Sequence, residues 1–145
     1  MAGVPGLECA PMAKGSASRS FPPPLAAAFD RAKIVGVRAG RGATHRFTGV
    51  WVVVVEGRVY ARSWGVTSGG WFDTFRREPA GTVQVGQRRV RVQARRVRSE
   101  RVLDAVEHGY AAKYSTPASS KWVRGFRAAR RRAATLEFIP AGAGS

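Results

Sequence analysis

The chain has 145 residues, 44% hydrophobic and 10% aromatic, with 25 lysines and arginines against 9 acids and a formal net charge of +16. That is enough chain for one domain with its own core. No apolar run approaches the ~20 residues that cross a bilayer, the N-terminus lacks the pattern of a secretory signal, and a single cysteine, Cys9, excludes an internal disulfide or a cysteine-clustered zinc site. The charge points to an anionic partner: nucleic acid, a phosphorylated small molecule or a membrane surface. The cysteine usage fits a reducing, cytoplasmic setting. Arginine, alanine, valine and glycine richness is also what a GC-rich genome writes, so charge alone does not choose among partners.

Residues 1–24 are rich in glycine, proline, alanine and serine and end in Pro22-Pro23-Pro24, the composition of a disordered tail. The folded domain is expected over 25–140, with a second short tail at 141–145. Leu25 to Phe29 reads as a lead-in helix, and Ala32 to Arg38 has the β-branched content of a first strand. After the glycine-rich stretch 39–44 come two strand-like runs, Phe47 to Val55 and Arg58 to Trp64, joined by Glu56-Gly57 as an antiparallel hairpin. Val50 to Val55 is apolar on both faces, which predicts a central strand covered on both sides.

Trp71 to Arg77 reads as a short helix ended before Pro79. A second hairpin follows, Thr82 to Val85 and Arg88 to Val97 about Gly86-Gln87. In its second strand Val90, Val92 and Ala94 share one face, and Arg89, Arg91, Gln93 and Arg95 share the other, so that face is wet. Ser99 caps a helix running to about Tyr114 with the apolar stripe Val102, Leu103, Val106 and Tyr110. Trp122 to Ala133 reads as a basic helix, and Leu136 to Ile139 as a last strand. The economical answer is an α+β, mainly β domain, an antiparallel barrel or half-barrel with a short inserted helix and one or two C-terminal helices.

Acid–base machinery is not visible. His45 and His108 stand alone, a pairing of Asp73 with His45 depends on the fold, and no residue grouping has metal spacing. No nucleophile elbow, phosphate-binding loop or dinucleotide fingerprint follows a strand. Chemistry in such a chain would come from a cofactor.

The segments GVWVVVVEGRVYARSWG, GGWFDTFRREPAGTVQVG, VEHGYAAKY and TLEFIP, in this order and spacing over Ile34 to Pro140, resemble the bacterial domain-of-unknown-function family 2255. That family is similar to the flavin-binding split β-barrels, whose relatives include pyridoxamine phosphate oxidases and deazaflavin-dependent reductases. The resemblance implies a split barrel and a homodimer. It also implies FMN or a deazaflavin as cofactor, and an oxidoreductase of unknown substrate. Carried over, it places Arg46 and Thr48 along the cofactor, Arg62 and Ser63 at its phosphate or ring edge, and Ser68, Gly69, Gly70 and Trp71 at a phosphate-holding loop. The family's lysine before the tryptophan is Gly70 here, so an arginine would have to stand in for it.

A rival reading makes the chain a basic binding protein for nucleic acid or another anion, with Arg88 to Arg101 and Arg124 to Arg132 as its face. Against it, aromatics do not alternate with these arginines as single-strand stacking requires.

Overall fold

The structure is a computed structural model that describes residues 20–40, 46–65 and 70–141. Helix α1 (Pro23–Arg31) leads into strand β1 (Val35–Ala39), and β2 (Thr48–Val50) and β3 (Val52–Val55) follow as two pieces of one run. Then come β4 (Arg58–Arg62), α2 (Trp71–Arg77), β5 (Ala80–Val85), β6 (Arg88–Arg96), α3 (Glu100–Lys113), α4 (Pro117–Gly125), α5 (Ala129–Arg132) and β7 (Thr135–Pro140). All strand pairs are antiparallel, in the order β2-β1-β5-β6-β7-β4-β3. Because β2 and β3 are consecutive in the chain yet stand at opposite ends of that order, the sheet bends round on itself into a nearly closed barrel. The fold is a mainly β split barrel with five helices among the described residues.

The two hairpins form where the turn residues place them. Val55 pairs with Arg58 across Glu56-Gly57, both at positive φ (53° and 78°), the backbone that a right-twisted two-residue turn demands. Val85 pairs with Arg88 across Gly86-Gln87, where only Gly86 (φ 60°) takes the left-handed region. The period of two then decides what each strand buries. Val59 and Ala61, Val83 and Val85, and Val92 face the barrel interior with Phe29, Val35, Val37, Phe75 and Phe138. Helix α2 plugs one end of that interior with Phe72 and Phe75. Arg89, Arg91, Gln93 and Arg95 are exposed, as the alternation predicts.

Helix α3 matches its sequence reading: Ser99 accepts the Val102 N–H and caps it, a contact worth about 1 kcal/mol. Its buried Val106 and Tyr110 form a second, smaller core with Val53, Tyr60, Tyr114 and Phe126 on the outside of the barrel. This corrects the expectation for Val50 to Val55. The run is not a central strand but the seam of the barrel, broken at Trp51, with one sheet partner on each piece. Its outer face is apolar because α3 lies over it, not because strands flank it on both sides.

Three boundaries also move. Most of the tail expected over 1–24 lies outside the described residues, but Phe21 is buried, its ring 5.0 Å from that of Phe29, and α1 starts at Pro23. Proline at the first helical position suits a helix start, since its missing N–H has no partner there anyway. The basic segment Trp122 to Ala133 is two short helices, α4 and α5, interrupted at Phe126–Ala128, where Phe126 turns into the α3 core. Of the tail expected at 141–145, Ala141 still donates its N–H to the Arg91 carbonyl at 2.9 Å. No helix among the described residues is long and apolar enough to cross a membrane.

Candidate functional site

The site lies where the barrel splits. Val52 pairs with Ala61, so the next rung of that ladder would join Trp51 to Arg62. Instead the hydroxyl of Tyr110 enters the gap. It donates to the Trp51 carbonyl at 2.6 Å and accepts the Arg62 N–H at 2.9 Å. One phenol thus satisfies both backbone groups that the opened ladder leaves buried, and β2 swings away to pair with β1. Burial holds this hydroxyl far above the usual tyrosine range. Lys113 and Tyr114 brace the same seam, with Lys113 Nζ donating to Val52 O at 2.7 Å and Tyr114 Oη to Lys33 O at 2.8 Å.

The opening leaves a cavity of about 330 Å³ between Gly49-Val50 on β2 and Arg62 at the end of β4. All four tryptophans of the chain, Trp51, Trp64, Trp71 and Trp122, line it, together with Ile34 and Phe126. Ile34 (57% exposed), Trp122 (42%) and Trp64 (38%) are the exposed large hydrophobic residues among those described, and all three stand at this one mouth. The walls are held in place. Trp51 stacks on Tyr114, with centroids 4.2 Å apart and planes 5° from parallel. Trp64 meets Trp122 edge-on at 4.8 Å, and Arg131 lies over its ring at 3.6 Å while donating to its carbonyl. Gly125 is required here, because a Cβ would strike the Trp64 ring. The cavity is in the size range of small-molecule sites and carries almost no titratable chemistry of its own.

The expected site residues divide into three groups. Arg46, Thr48 and Trp71 come together around a second hollow of about 220 Å³, joined there by Arg38 and Thr74; Trp71 belongs to both hollows. Arg62 and Ser63 are buried and turned to the protein. Arg62 donates to Thr135 Oγ1 (2.8 Å), Phe126 O (3.1 Å), Leu103 O (3.3 Å) and Glu107 (3.3 Å), so its guanidinium, expected at the phosphate or the ring edge, ties α3 and α4 to the sheet while the residue lines the tryptophan cavity. Burial lowers its pKa, with Glu107 partly opposing. Ser63 Oγ donates to the Gly65 carbonyl, and its N–H to Ala134 O. Gly70 is the residue before α2, whose first turn already carries Asp73, paired with Arg77 at 3.3 Å. An anion at that helix end would meet a like charge. Ser68, Gly69 and His45 lie outside the described residues, and His108 is exposed on α3. Sequence reasoning missed Tyr110 as the wedge, which spacing alone had assigned to an ordinary apolar stripe. It missed Trp122 too, since nothing in the sequence ties α4 to the seam. No cluster among the described residues could hold a metal ion.

The family described as "Uncharacterized protein conserved in bacteria (DUF2255)" matches residues 27–138, and the chain belongs to it. Among solved structures, the chain is similar to a conserved hypothetical protein from Mycobacterium tuberculosis (12% identity, TM-score 0.58, covering 88% of this chain and 84% of that one). It is similar to a pyridoxamine 5′-phosphate oxidase-like protein from Listeria innocua (12% identity, TM-score 0.57, 83% and 93%). A FAD-binding protein from Mesorhizobium loti also shares the fold (14% identity, TM-score 0.50, 80% and 86%). No curated protein matches the chain.

Proposed function

Starting from a family member with the fold of flavin-binding split barrels, we propose that the tryptophan cavity binds the ring system of FMN or a deazaflavin. The observation that carries this is the convergence of all four tryptophans on one cavity at the split. A planar tricyclic ring finds there an apolar slot with aromatic faces and edges, the geometry in which rings gain about 0.5–1.5 kcal/mol beyond area burial. Its anionic tail runs past Trp71 to Arg46 and Thr48, with Arg38 beside them, where Arg62 and Ser63 were first expected. Arginine at these positions takes the place of the lysine that Gly70 replaces, with a planar fork suited to phosphate oxygens.

The chain is then an oxidoreductase whose chemistry is supplied by the cofactor as hydride or electron transfer, since the cavity wall offers no acid–base pair. Its own residues bind, orient and exclude water. The exposed Ile34, Trp64 and Trp122 are covered by a second copy in a homodimer, and light scattering at twice the chain mass is the expected result. The ligand reading is tested by the visible absorbance of the purified full chain and of the chain mixed with FMN or a deazaflavin and desalted. A retained, shifted ring spectrum is expected with one of them; loss of both on desalting counts against the proposal.

A further inference from the structure

We propose a second ligand site, separate from the tryptophan cavity, that takes the phosphate of a small phosphorylated molecule. It is the hollow of about 530 Å³ between the outer face of β4, β7 and β6 and the segment entering α3, and it shares no lining residue with the tryptophan cavity.

Its walls carry arginines from three parts of the chain, Arg58 on β4, Arg95 on β6 and Arg98 just before α3; Arg96 also lines it, but its guanidinium lies over Phe72 and donates to the Ala133 carbonyl at 3.2 Å. Glu137 is the one carboxylate in the wall. Arg58 holds it with two parallel bonds, Nε to Oε2 at 2.6 Å and Nη2 to Oε1 at 2.9 Å. Arg95 is the cross-strand neighbour of Glu137 but makes no ion pair with it. Among the described residues no carboxylate pairs with Arg95 or Arg98. The other acids of this region, Glu100, Asp104 and Glu107, are gathered on Arg132. Arg58, Arg95 and Arg98 against Glu137 leave the hollow with two uncompensated positive charges. A phosphomonoester brings about −1.5 to −2 near neutral pH, and a diphosphate brings more.

Arginines contributed to one hollow by three separate segments suit a compact anion, whereas a nucleic-acid track needs charges spread along a face. The remaining wall fits the uncharged part of such a molecule. Val97, Val102 and the buried Tyr60 ring are apolar, and burial together with the Glu137 charge pushes the Tyr60 hydroxyl up, so it stays a hydrogen-bond donor.

The test is calorimetric titration of the full chain with inorganic pyrophosphate, comparing the parent with Arg95→Ala/Arg98→Ala and with Arg127→Ala/Arg130→Ala. All four positions are exposed and both variants lose the same charge, so both should melt like the parent. Saturable one-to-one binding is expected in the parent. The first pair should weaken it by about tenfold or more, the scale of one lost charge-assisted bond, and the second should leave it nearly unchanged. Equal weakening by the two pairs would reduce the effect to overall charge. That result, displacement of pyrophosphate by duplex DNA that both pairs weaken alike, or no saturable binding by the parent would overturn the proposal.

Discussion

The two hollows of this barrel are built from the same abundant residue used in opposite ways. At the tryptophan cavity arginine is structural. Arg62 is sealed under α3 and α4 with carbonyls, a threonine and Glu107 as acceptors, and Arg131 fixes Trp64 by lying over its ring. What faces the cavity is aromatic surface. At the hollow beside Glu137 the reverse holds: Arg58 holds the local carboxylate, and no carboxylate among the described residues pairs with Arg95 or Arg98. A net charge of +16 therefore says little about function by itself. What matters is where the nine acids sit.

The contrast is easiest to break at Arg62. Replacing it with Ala removes one partner of a buried pair and strands four acceptors, so a loss of about 3–5 kcal/mol in denaturant unfolding is expected. A change under about 1 kcal/mol would mean that Arg62 is not structural. Next comes Gly125→Ala, where the new methyl forces Trp64 to move. A stability loss of about 1–3 kcal/mol is expected from such overpacking, with flavin binding weakened more than stability alone explains. Normal binding would put the ring elsewhere.

A smaller effect appears with pH. Burial pushes the Tyr114 hydroxyl up to about 12, against about 10 in the unfolded chain, and raises Tyr110 as well. Raised folded values mean stability that is complete below pH 10 and is lost as pH climbs from about 10 towards 12. The denaturation midpoint should fall across that window, and less steeply in Tyr114→Phe; an unchanged slope would remove the tyrosine from the account. The smallest expected effect is Arg95→Ala, within about 0.5 kcal/mol of the parent, since an exposed arginine without a partner supports little. A larger loss would show that it too is structural.

Much of the barrel was legible because its signals are local. The Glu56-Gly57 and Gly86-Gln87 turns set two hairpin registers, period-two alternation identified the wet face of β6, and Ser99 announced α3. What was not legible depends on tertiary cover. Two-faced apolarity at Val50 to Val55 says that both faces are covered, here by the barrel interior and by α3, but not whether the strand is central or at an edge of the sheet. In the same way an arginine at a sheet position reads as solvated until a helix is known to cross it, so the residues alone do not show Arg62 as buried, and only the resemblance placed it beside a ligand. The residues joining Arg46, Thr48 and Trp71 were readable through the resemblance. The gathering of Trp51, Trp64 and Trp122 was not, because it follows from the Tyr110 wedge that opens the barrel between positions far apart in the chain.

Because every tryptophan lines the cavity, the intrinsic emission of the chain reports on it and on little else. Titrating FMN and a deazaflavin into the full chain should quench that emission saturably for at least one of them. The quench should persist in Arg95→Ala/Arg98→Ala and weaken in Arg46→Ala. No saturable quench with either compound, or a quench lost in the Arg95/Arg98 pair and kept in Arg46→Ala, would contradict the assignment of the tryptophan cavity as the cofactor site.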